Sequence, residues 1–190
     1  MNISDASDED IARIVQEGDT DAFGALVTRY EAKLKRYARK FLSRKEDIED
    51  LVQDVFVKAY EHIQSFDTSL RFSPWIYRIA HNVFVNELKR ANRLGFSIFD
   101  PYTLLPFLSA RETADGEVIN EEVRRQIDVS LETLSPKYRE ILILHYFEEL
   151  SYKEISEVLH IPVTTVGVRM TRARERLRHV LNEDTYLEKT

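Results

Sequence analysis

Apolar residues recur three and four positions apart over most of this chain, which is the spacing that gives a helix one apolar face. The pattern predicts a short helix at about 8–17 and longer helices at about 20–42, 47–64 and 74–92. Each helix has an apolar face that it cannot bury alone. We therefore predict that the four pack together as an N-terminal helical domain.

The periodicity fails at 95–120, where two prolines and two glycines interrupt the chain and predict a linker. This segment is unusually apolar, so we expect it to lie either against the protein's own domains or against a partner. Helical spacing returns at about 122–133 and again after Ser135-Pro136, a pair suited to the N-cap and first position of a helix. We predict an all-α fold in which two small helical domains, 1–94 and 121–190, are joined by a linker, 95–120.

Two short helices separated by a three-residue turn are predicted within residues 151–178. Ser151 and Glu154 have the S-x-x-E spacing of a capping box at the start of the first helix. Pro162 marks the turn, because proline is tolerated in the first turn of a helix and not in its interior. The arrangement predicts a helix-turn-helix, whose second helix enters the major groove of DNA.

The charge distribution supports nucleic-acid binding at two places. The chain is acidic, with a formal net charge of −6, yet residues 169–178 contain five arginines and one glutamate. Residues 71–93 likewise contain five cations and one acid. The arginine fork suits phosphate oxygens and guanine edges. An arginine run by itself is more often a solvated helix face, and it is the preceding helix-turn-helix that favours DNA binding.

Composition and missing motifs exclude several other classes. The chain has no cysteine, which excludes disulfides and thiolate metal sites, and its five histidines are scattered without metal-ligand spacing. We find no phosphate-binding loop, dinucleotide fingerprint or H-E-x-x-H helix, so we predict no enzyme activity, no metal and no cofactor. The acidic N-terminus lacks the pattern of a signal peptide and no apolar run could span a bilayer, so we expect a cytoplasmic protein without membrane insertion.

Three stretches together resemble the sigma-70 family of bacterial transcription initiation factors, and most of all its small two-domain extracytoplasmic-function members. They are EDIEDLVQDVFVKAY (46–60), FSPWIYRIAHNVFVNELKR (72–90) and the segment 134–177 that contains the helix-turn-helix. Each stretch is moderately specific, and their order and spacing make the resemblance strong. It implies a factor that binds core RNA polymerase and directs it to promoters, reading the −35 element as duplex and melting and capturing the −10 element.

The resemblance assigns three sets of site residues. The first lies on one face of the third helix and would bind the clamp coiled coil of the polymerase β′ subunit: Asp50, Gln53 and Asp54. The second, for the −10 element, combines a loop that would hold a flipped base with one face of the fourth helix: Phe66, Asp67, Arg71, Phe72, Arg78, Asn82, Asn86, Lys89 and Arg90. The third, for the −35 element, is Thr165, Gly167, Val168, Thr171 and Arg172, beside which we expect Arg174 and Arg176 to hold phosphates.

Some of these assignments have plain structural alternatives. Without the resemblance, the acids around Asp50 would be an ordinary solvated helix face. Trp75, at a helix start, is expected to belong to the core. Gly167 departs from the commonest family pattern, which often has a basic or polar residue there, so the −35 sequence that is read stays open.

Two other functions compete with this interpretation. A helix-turn-helix regulator that is not a polymerase subunit would bind DNA without co-purifying with core polymerase. A helical adapter with no nucleic-acid role would leave both basic segments unexplained.

The resemblance also implies an anti-sigma factor as a partner.

Overall fold

The computed structural model describes residues 3–39, 45–93, 131 and 134–187 of the 190-residue chain. Within these ranges the regular structure consists of seven α-helices and three short 3₁₀ turns, with no strand. The chain divides into two compact units, one built on the N-terminal helices and one on the C-terminal helices. The predicted all-α, two-domain fold is confirmed. The predicted linker and nearly all of the predicted helix at 122–133 lie outside the described residues.

Four helices build the N-terminal unit: α1 (Asp8–Gln16), α2 (Phe23–Ala38), α3 (Lys45–His62) and α4 (Phe72–Arg93). Helix α3 packs against both α2 and α4, and α1 contacts α2 and α4. The core where they meet consists of apolar residues at the predicted helical spacing, among them Ile11, Leu26, Leu34, Val52, Val55, Ile76 and Phe84.

Local chemistry sets the ends of these helices. The hydroxyl of Ser7 accepts a 3.1 Å hydrogen bond from the N–H of Asp10 and caps α1. Gly18 ends that helix with a φ of +112°, a conformation that favours glycine. Helix α4 begins at Phe72, two residues before the predicted start at Pro74. Pro74 is tolerated inside the helix because the N–H groups of a first turn have no partner within the helix.

Three helices build the described part of the C-terminal unit: α5 (Pro136–Tyr146), α6 (Tyr152–Leu159) and α7 (Val163–Leu187). Helix α5 packs along α7. Ser135 occupies the predicted N-cap position, but its hydroxyl makes no capping hydrogen bond. Its carbonyl oxygen instead accepts from the N–H of Arg139 at 3.1 Å. Fully buried residues in the core of this unit include Ile141, Leu144, Leu150, Ile155, Val166, Met170 and Ala173.

Candidate nucleic-acid and polymerase interface

The predicted capping box opens the first helix of the helix-turn-helix. The N–H of Ser151 donates to Oε2 of Glu154 at 2.7 Å, and the N–H of Glu154 donates to Oγ of Ser151 at 3.3 Å. Each of the two side chains thus accepts a hydrogen bond from the backbone N–H of the other residue, which satisfies two backbone donors at the start of α6. The prediction from the S-x-x-E spacing is confirmed.

The turn between α6 and α7 is closed by short-range hydrogen bonds. The hydroxyl of Ser156 donates to the carbonyl oxygen of Ile161 at 2.6 Å, and the N–H of Ile161 donates to the carbonyl oxygen of Ser156 at 3.2 Å. His160 has a φ of +52°, in the left-handed region, which lets the chain reverse within three residues. The carbonyl oxygen of Pro162 then accepts the first hydrogen bonds of α7. The predicted three-residue turn is confirmed.

Helix α7 separates a buried face from an exposed face. Val166 and Met170 are fully buried, whereas Val168 is 52% exposed although it is apolar. The members of the predicted −35 set have these positions: Val168, Thr171, Arg172, Arg174 and Arg176 are exposed, and Thr165 and Gly167 are half-buried. A row of polar and small side chains is therefore available along the outer face of the second helix.

Two of the α7 arginines also contact tyrosines of α5. The guanidinium of Arg174 lies 5.6 Å from the ring centre of Tyr146, and that of Arg176 lies 4.7 Å from the ring centre of Tyr138. Stacking on an aromatic face leaves the N–H groups at the edge of the guanidinium plane able to bind phosphate. These arginines therefore pack α7 against α5, a contact that the sequence did not predict, and this packing is compatible with the predicted binding of phosphate.

The loop between α3 and α4 is folded by its own side chains. Oδ1 of Asp67 accepts hydrogen bonds from the N–H of Ser69 at 2.9 Å and from its hydroxyl at 2.7 Å. These bonds, the one from the hydroxyl first, hold the pKa of Asp67 below its ordinary value. The turn leaves Leu70 61% exposed, and Arg71 beside it is also exposed. Sequence reasoning missed Leu70, whose only signal was an apolar residue in a polar turn.

Two aromatic residues of the predicted −10 set lie beneath this loop. Phe66 is 5% exposed and Phe72 is fully buried. Their ring centres are 5.4 Å apart, and the half-buried Trp75 lies within 5.3 Å of both. Neither phenylalanine has an open face on which a base could stack. A base could therefore stack on either ring only if the core around Trp75 repacked, so the predicted direct contact of Phe66 and Phe72 with the −10 element stays a prediction.

Helix α4 presents the rest of the −10 set on its surface: Arg78, Asn82, Asn86, Lys89 and Arg90 are all exposed. Arg90 forms a two-pronged ion pair with Glu87, with N–O distances of 2.8 and 2.9 Å. This pair partly neutralises the basic surface at its C-terminal end. The face from Arg78 to Lys89 keeps its polar and basic character.

The predicted polymerase-binding set lies together on the outer face of α3. Asp50, Gln53 and Asp54 are exposed, and Val52 on the other side of the helix is buried. Val57 falls three residues after Asp54, so it continues the same face, and it is 55% exposed. Val57 was not among the predicted polymerase-binding residues, although its helical spacing from Asp54 in the sequence already placed it on the same face.

In the part of the chain that the structure describes, no helix is both long and apolar enough to cross a membrane. Among the same described residues, no three histidine, aspartate or glutamate side chains converge on a point where they could hold a metal ion.

Comparison with known proteins gives two family matches. Sigma-70 region 2 matches residues 26–94, and sigma-70 region 4 matches residues 124–177. The chain is 34% identical over 177 residues to the ECF RNA polymerase sigma factor SigW of Bacillus subtilis, a match that covers 89% of this chain and 94% of SigW. It is 33% identical over 179 residues to the ECF RNA polymerase sigma-E factor of Haemophilus influenzae, covering 91% and 94% of the two chains.

Solved structures agree with this fold. CnrH, solved in complex with the cytosolic domain of CnrY, is 29% identical to this chain and superposes with a TM-score of 0.65. The match covers 94% of this chain and 99% of CnrH. The sigma factor RpoE of Bartonella quintana, in complex with the anti-sigma factor NepR, is 23% identical and has a TM-score of 0.67, covering 84% and 96%. The second likeness concerns the fold alone.

Proposed function

The chain belongs to the extracytoplasmic-function group of the sigma-70 family, and on this premise we propose how its two units divide the work of promoter recognition. As a member of that family it is a sigma factor that directs RNA polymerase to promoters. In our proposal the N-terminal unit binds core polymerase and captures the −10 element. The C-terminal unit reads the −35 element.

One observation carries the proposal. Each unit of an acidic protein presents an exposed helix face with basic residues, on α4 in one unit and on α7 in the other. Phosphate neutralisation by such faces supplies nearly all of the non-specific affinity of a protein for DNA and a large share of its specific affinity. A DNA-binding regulator with a single helix-turn-helix would need only one of the two.

At the −35 element, α7 enters the major groove. Arg172 can donate two hydrogen bonds to a guanine edge, and Val168 can contact a thymine methyl group. Thr165 and Thr171 lie along the same surface. Arg174 and Arg176 hold phosphates, which adds affinity and orientation without sequence information.

At the −10 element, the loop that contains Asp67, Leu70 and Arg71 receives a base turned out of the duplex. Extracting a base costs a few kcal/mol of stacking, which contacts in the loop must offset. Both Ser69 bonds go to Oδ1 of Asp67, so Oδ2 can accept from an exocyclic amino group. Leu70 can cover the face of the base, and Arg71 can bind the adjoining phosphate.

The α4 surface follows the strand beyond the captured base. Arg78 and Lys89 supply charge for the backbone, and Asn82 and Asn86 supply donors and acceptors between them. Arg90 contributes less, because its guanidinium is paired with Glu87. Phe66 and Phe72 contribute by supporting the loop from below.

Polymerase binding belongs to the α3 face in this proposal. Asp50, Gln53 and Asp54 meet the clamp coiled coil of the β′ subunit, and Val57 extends the contact with apolar surface. In this proposal the protein supplies neither a catalytic group nor a cofactor, because polymerase carries out the chemistry. It acts in the cytoplasm, where core polymerase meets the chromosome.

A regulatory partner completes the proposal. CnrH is held by the cytosolic domain of CnrY, and RpoE of Bartonella quintana by an anti-sigma factor. We infer that an anti-sigma factor sequesters this chain in the same way.

Run-off transcription with purified core polymerase and a promoter library tests the whole proposal. We expect transcripts only when this protein is added, from templates that share one −35 and one −10 motif. Co-purification with core polymerase separates this function from that of a conventional regulator. DNA binding without any association with core polymerase would overturn it.

A further inference from the structure

Helix α1 is hydrogen-bonded to the chain segment that leads into the −10 loop. The side-chain amide of Gln16 donates to two backbone carbonyl oxygens, that of Ile63 at 2.6 Å and that of Phe66 at 2.8 Å. The side chain of Gln64 donates in return to the carbonyl oxygen of Gln16 at 3.3 Å. The residue that immediately precedes Asp67 is thus held by a helix 50 positions earlier in the chain.

The other end of the same loop is also bonded to α1. The carboxylate of Glu9 accepts a 2.8 Å hydrogen bond from the N–H of Phe72, the first residue of α4. Glu9 and Gln16 are two helical turns apart, about 10 Å along α1. The helix therefore sets the distance between the two ends of the loop.

The internal hydrogen bonds of the loop do not set its orientation. The bonds between Asp67 and Ser69 fold the tip of the turn but tie it to no helix. The bonds from Gln16 and Glu9 connect the ends of the loop to a rigid element. A displacement of about 1 Å in a recognition group is enough to lose most of its effect, so such anchoring bears on selectivity.

We propose that Gln16 and Glu9 are positioning residues that hold the loop at 67–71 in the geometry that selects one base of the −10 element. The inference rests on the proposed function and extends it to α1, which lies outside the residues matched by sigma-70 region 2. Gln16 acts on the base through the backbone of Phe66 and does not touch DNA.

The test uses holoenzyme assembled from core polymerase and the full chain carrying Gln16→Glu. The substitution keeps the size of the side chain, but an ionised carboxylate has no N–H to donate and would face two carbonyl oxygens. A parent promoter is taken from the library with the wild-type protein, and a set of templates changes one −10 base at a time. The measured quantity is the ratio of open-complex formation rates on parent and substituted templates.

We expect the wild-type holoenzyme to show a strong preference at one −10 position. Gln16→Glu and Glu9→Ala should lower that preference at least about fivefold, the order of one lost hydrogen bond. Preference at the −35 element should not change. A variant that is merely less stable has less active protein on both templates, so its ratio would stay at the wild-type value.

Matched variants of α1 serve as controls. Arg13→Ala removes an exposed side chain of the same helix, paired with Asp10 at 2.7 Å, and should leave the ratio unchanged. Glu9→Gln keeps an acceptor oxygen and should retain most of the preference. If Gln16→Glu does not fold or bind core polymerase, Gln16→Met provides a neutral side chain of similar length without the donor.

The outcomes distinguish the positioning role of Gln16 and Glu9 from the proposed function. A wild-type ratio in both Gln16→Glu and Glu9→Ala would overturn the positioning role and leave the proposed function intact. If the wild-type protein neither binds core polymerase nor prefers any −10 base, the proposed function fails and the positioning role fails with it.

Discussion

The carboxylate of Glu9 accepts a 2.8 Å hydrogen bond from the backbone N–H of Phe72, the first residue of α4. An N–H in the first turn of a helix has no acceptor within that helix. A side chain 63 positions earlier in the chain therefore caps α4, in the place where a local motif would ordinarily supply the acceptor. The start of the proposed −10 helix depends on the packing of α1.

Loss of this cap should destabilise the N-terminal unit. We expect Glu9→Ala to lower its free energy of unfolding by about 1–2 kcal/mol, the cost of a removed N-cap. Trp75 is the one tryptophan of the chain and contacts Phe72, so its fluorescence during urea unfolding reports on this unit. Glu9→Gln keeps an acceptor and should lose less. Equal losses in the two variants would contradict the capping role.

Tyr30 should make the stability of the N-terminal unit depend on pH in the alkaline range. Its hydroxyl donates to Oδ2 of Asp8 at 2.6 Å, and Oδ1 of Asp8 pairs with Arg29 at 2.7 Å. Burial first, and then the bond to Asp8, raise the pKa of Tyr30 well above its ordinary value of 10.0. The unfolded chain therefore releases this proton at lower pH than the folded chain. The contribution of Tyr30 to stability is intact below about pH 10 and declines as the pH rises further.

Removal of the hydroxyl should abolish this part of the pH dependence. Tyr30→Phe keeps the ring that contacts Phe72 and should cost about 1–2 kcal/mol at neutral pH. Above pH 10 its stability should fall less steeply than that of the wild type. Urea unfolding followed by Trp75 fluorescence at a series of pH values measures both effects. Parallel declines in the two proteins would show that the Tyr30 proton is not involved.

The acidic face of α3 is tested by removing two charges together. Asp50→Ala with Asp54→Ala should weaken the binding of core polymerase in a pull-down, because both carboxylates are exposed on the proposed contact face. Substitutions of exposed residues should leave stability within about 0.5 kcal/mol. Glu17→Ala with Asp21→Ala makes the same charge change at other exposed positions of this unit. An equal loss in that control would indicate an effect of net charge alone.

Base reading and phosphate binding on α7 should be separable. Arg172→Ala should weaken binding to the cognate promoter by about 1–3 kcal/mol and relax preference at one −35 base pair. Arg174→Ala should weaken binding to all −35 sequences alike and lower the salt slope by about one. Affinities on a set of −35 templates at several salt concentrations distinguish the two. Uniform weakening by Arg172→Ala would assign it to the backbone instead.

Substitution of Gly167 tests whether the absence of a side chain there lets α7 approach the DNA closely. It lies in the interior of α7, and a Cβ added there would have no atom within 4 Å. Gly167→Ala should therefore raise the stability of the helix by up to about 1 kcal/mol. We expect promoter binding to fall at the same time, because a methyl group would hold α7 away from the bases. Thermal unfolding followed by circular dichroism and promoter affinity measure the two effects. Improved binding would contradict a close backbone approach.

The loop before α4 shows where sequence reasoning stops. Phe66, Leu70 and Phe72 are all apolar and lie within seven residues of one another, and nothing in their spacing distinguishes them. Two are buried against Trp75, and Leu70 is exposed at the turn. The difference depends on which surfaces α1 and α4 bring beneath the loop. A set of candidate contacts chosen by residue type therefore included two that belong to the core.

The sequence by itself determined which of the described segments are helical, the capping box of Ser151 and Glu154, the turn at Pro162 and the exposed faces of α3, α4 and α7. These features depend on interactions between residues only a few positions apart, so apolar periodicity and capping motifs are enough to predict them. The sequence did not fix every helix end, since α4 begins two residues early and α7 continues to Leu187. Only the tertiary structure decided that Phe66 and Phe72 support the loop and that Glu9 and Gln16 hold its ends. Burial and hydrogen bonds between distant segments depend on which elements pack together, and no local spacing along the chain contains that information.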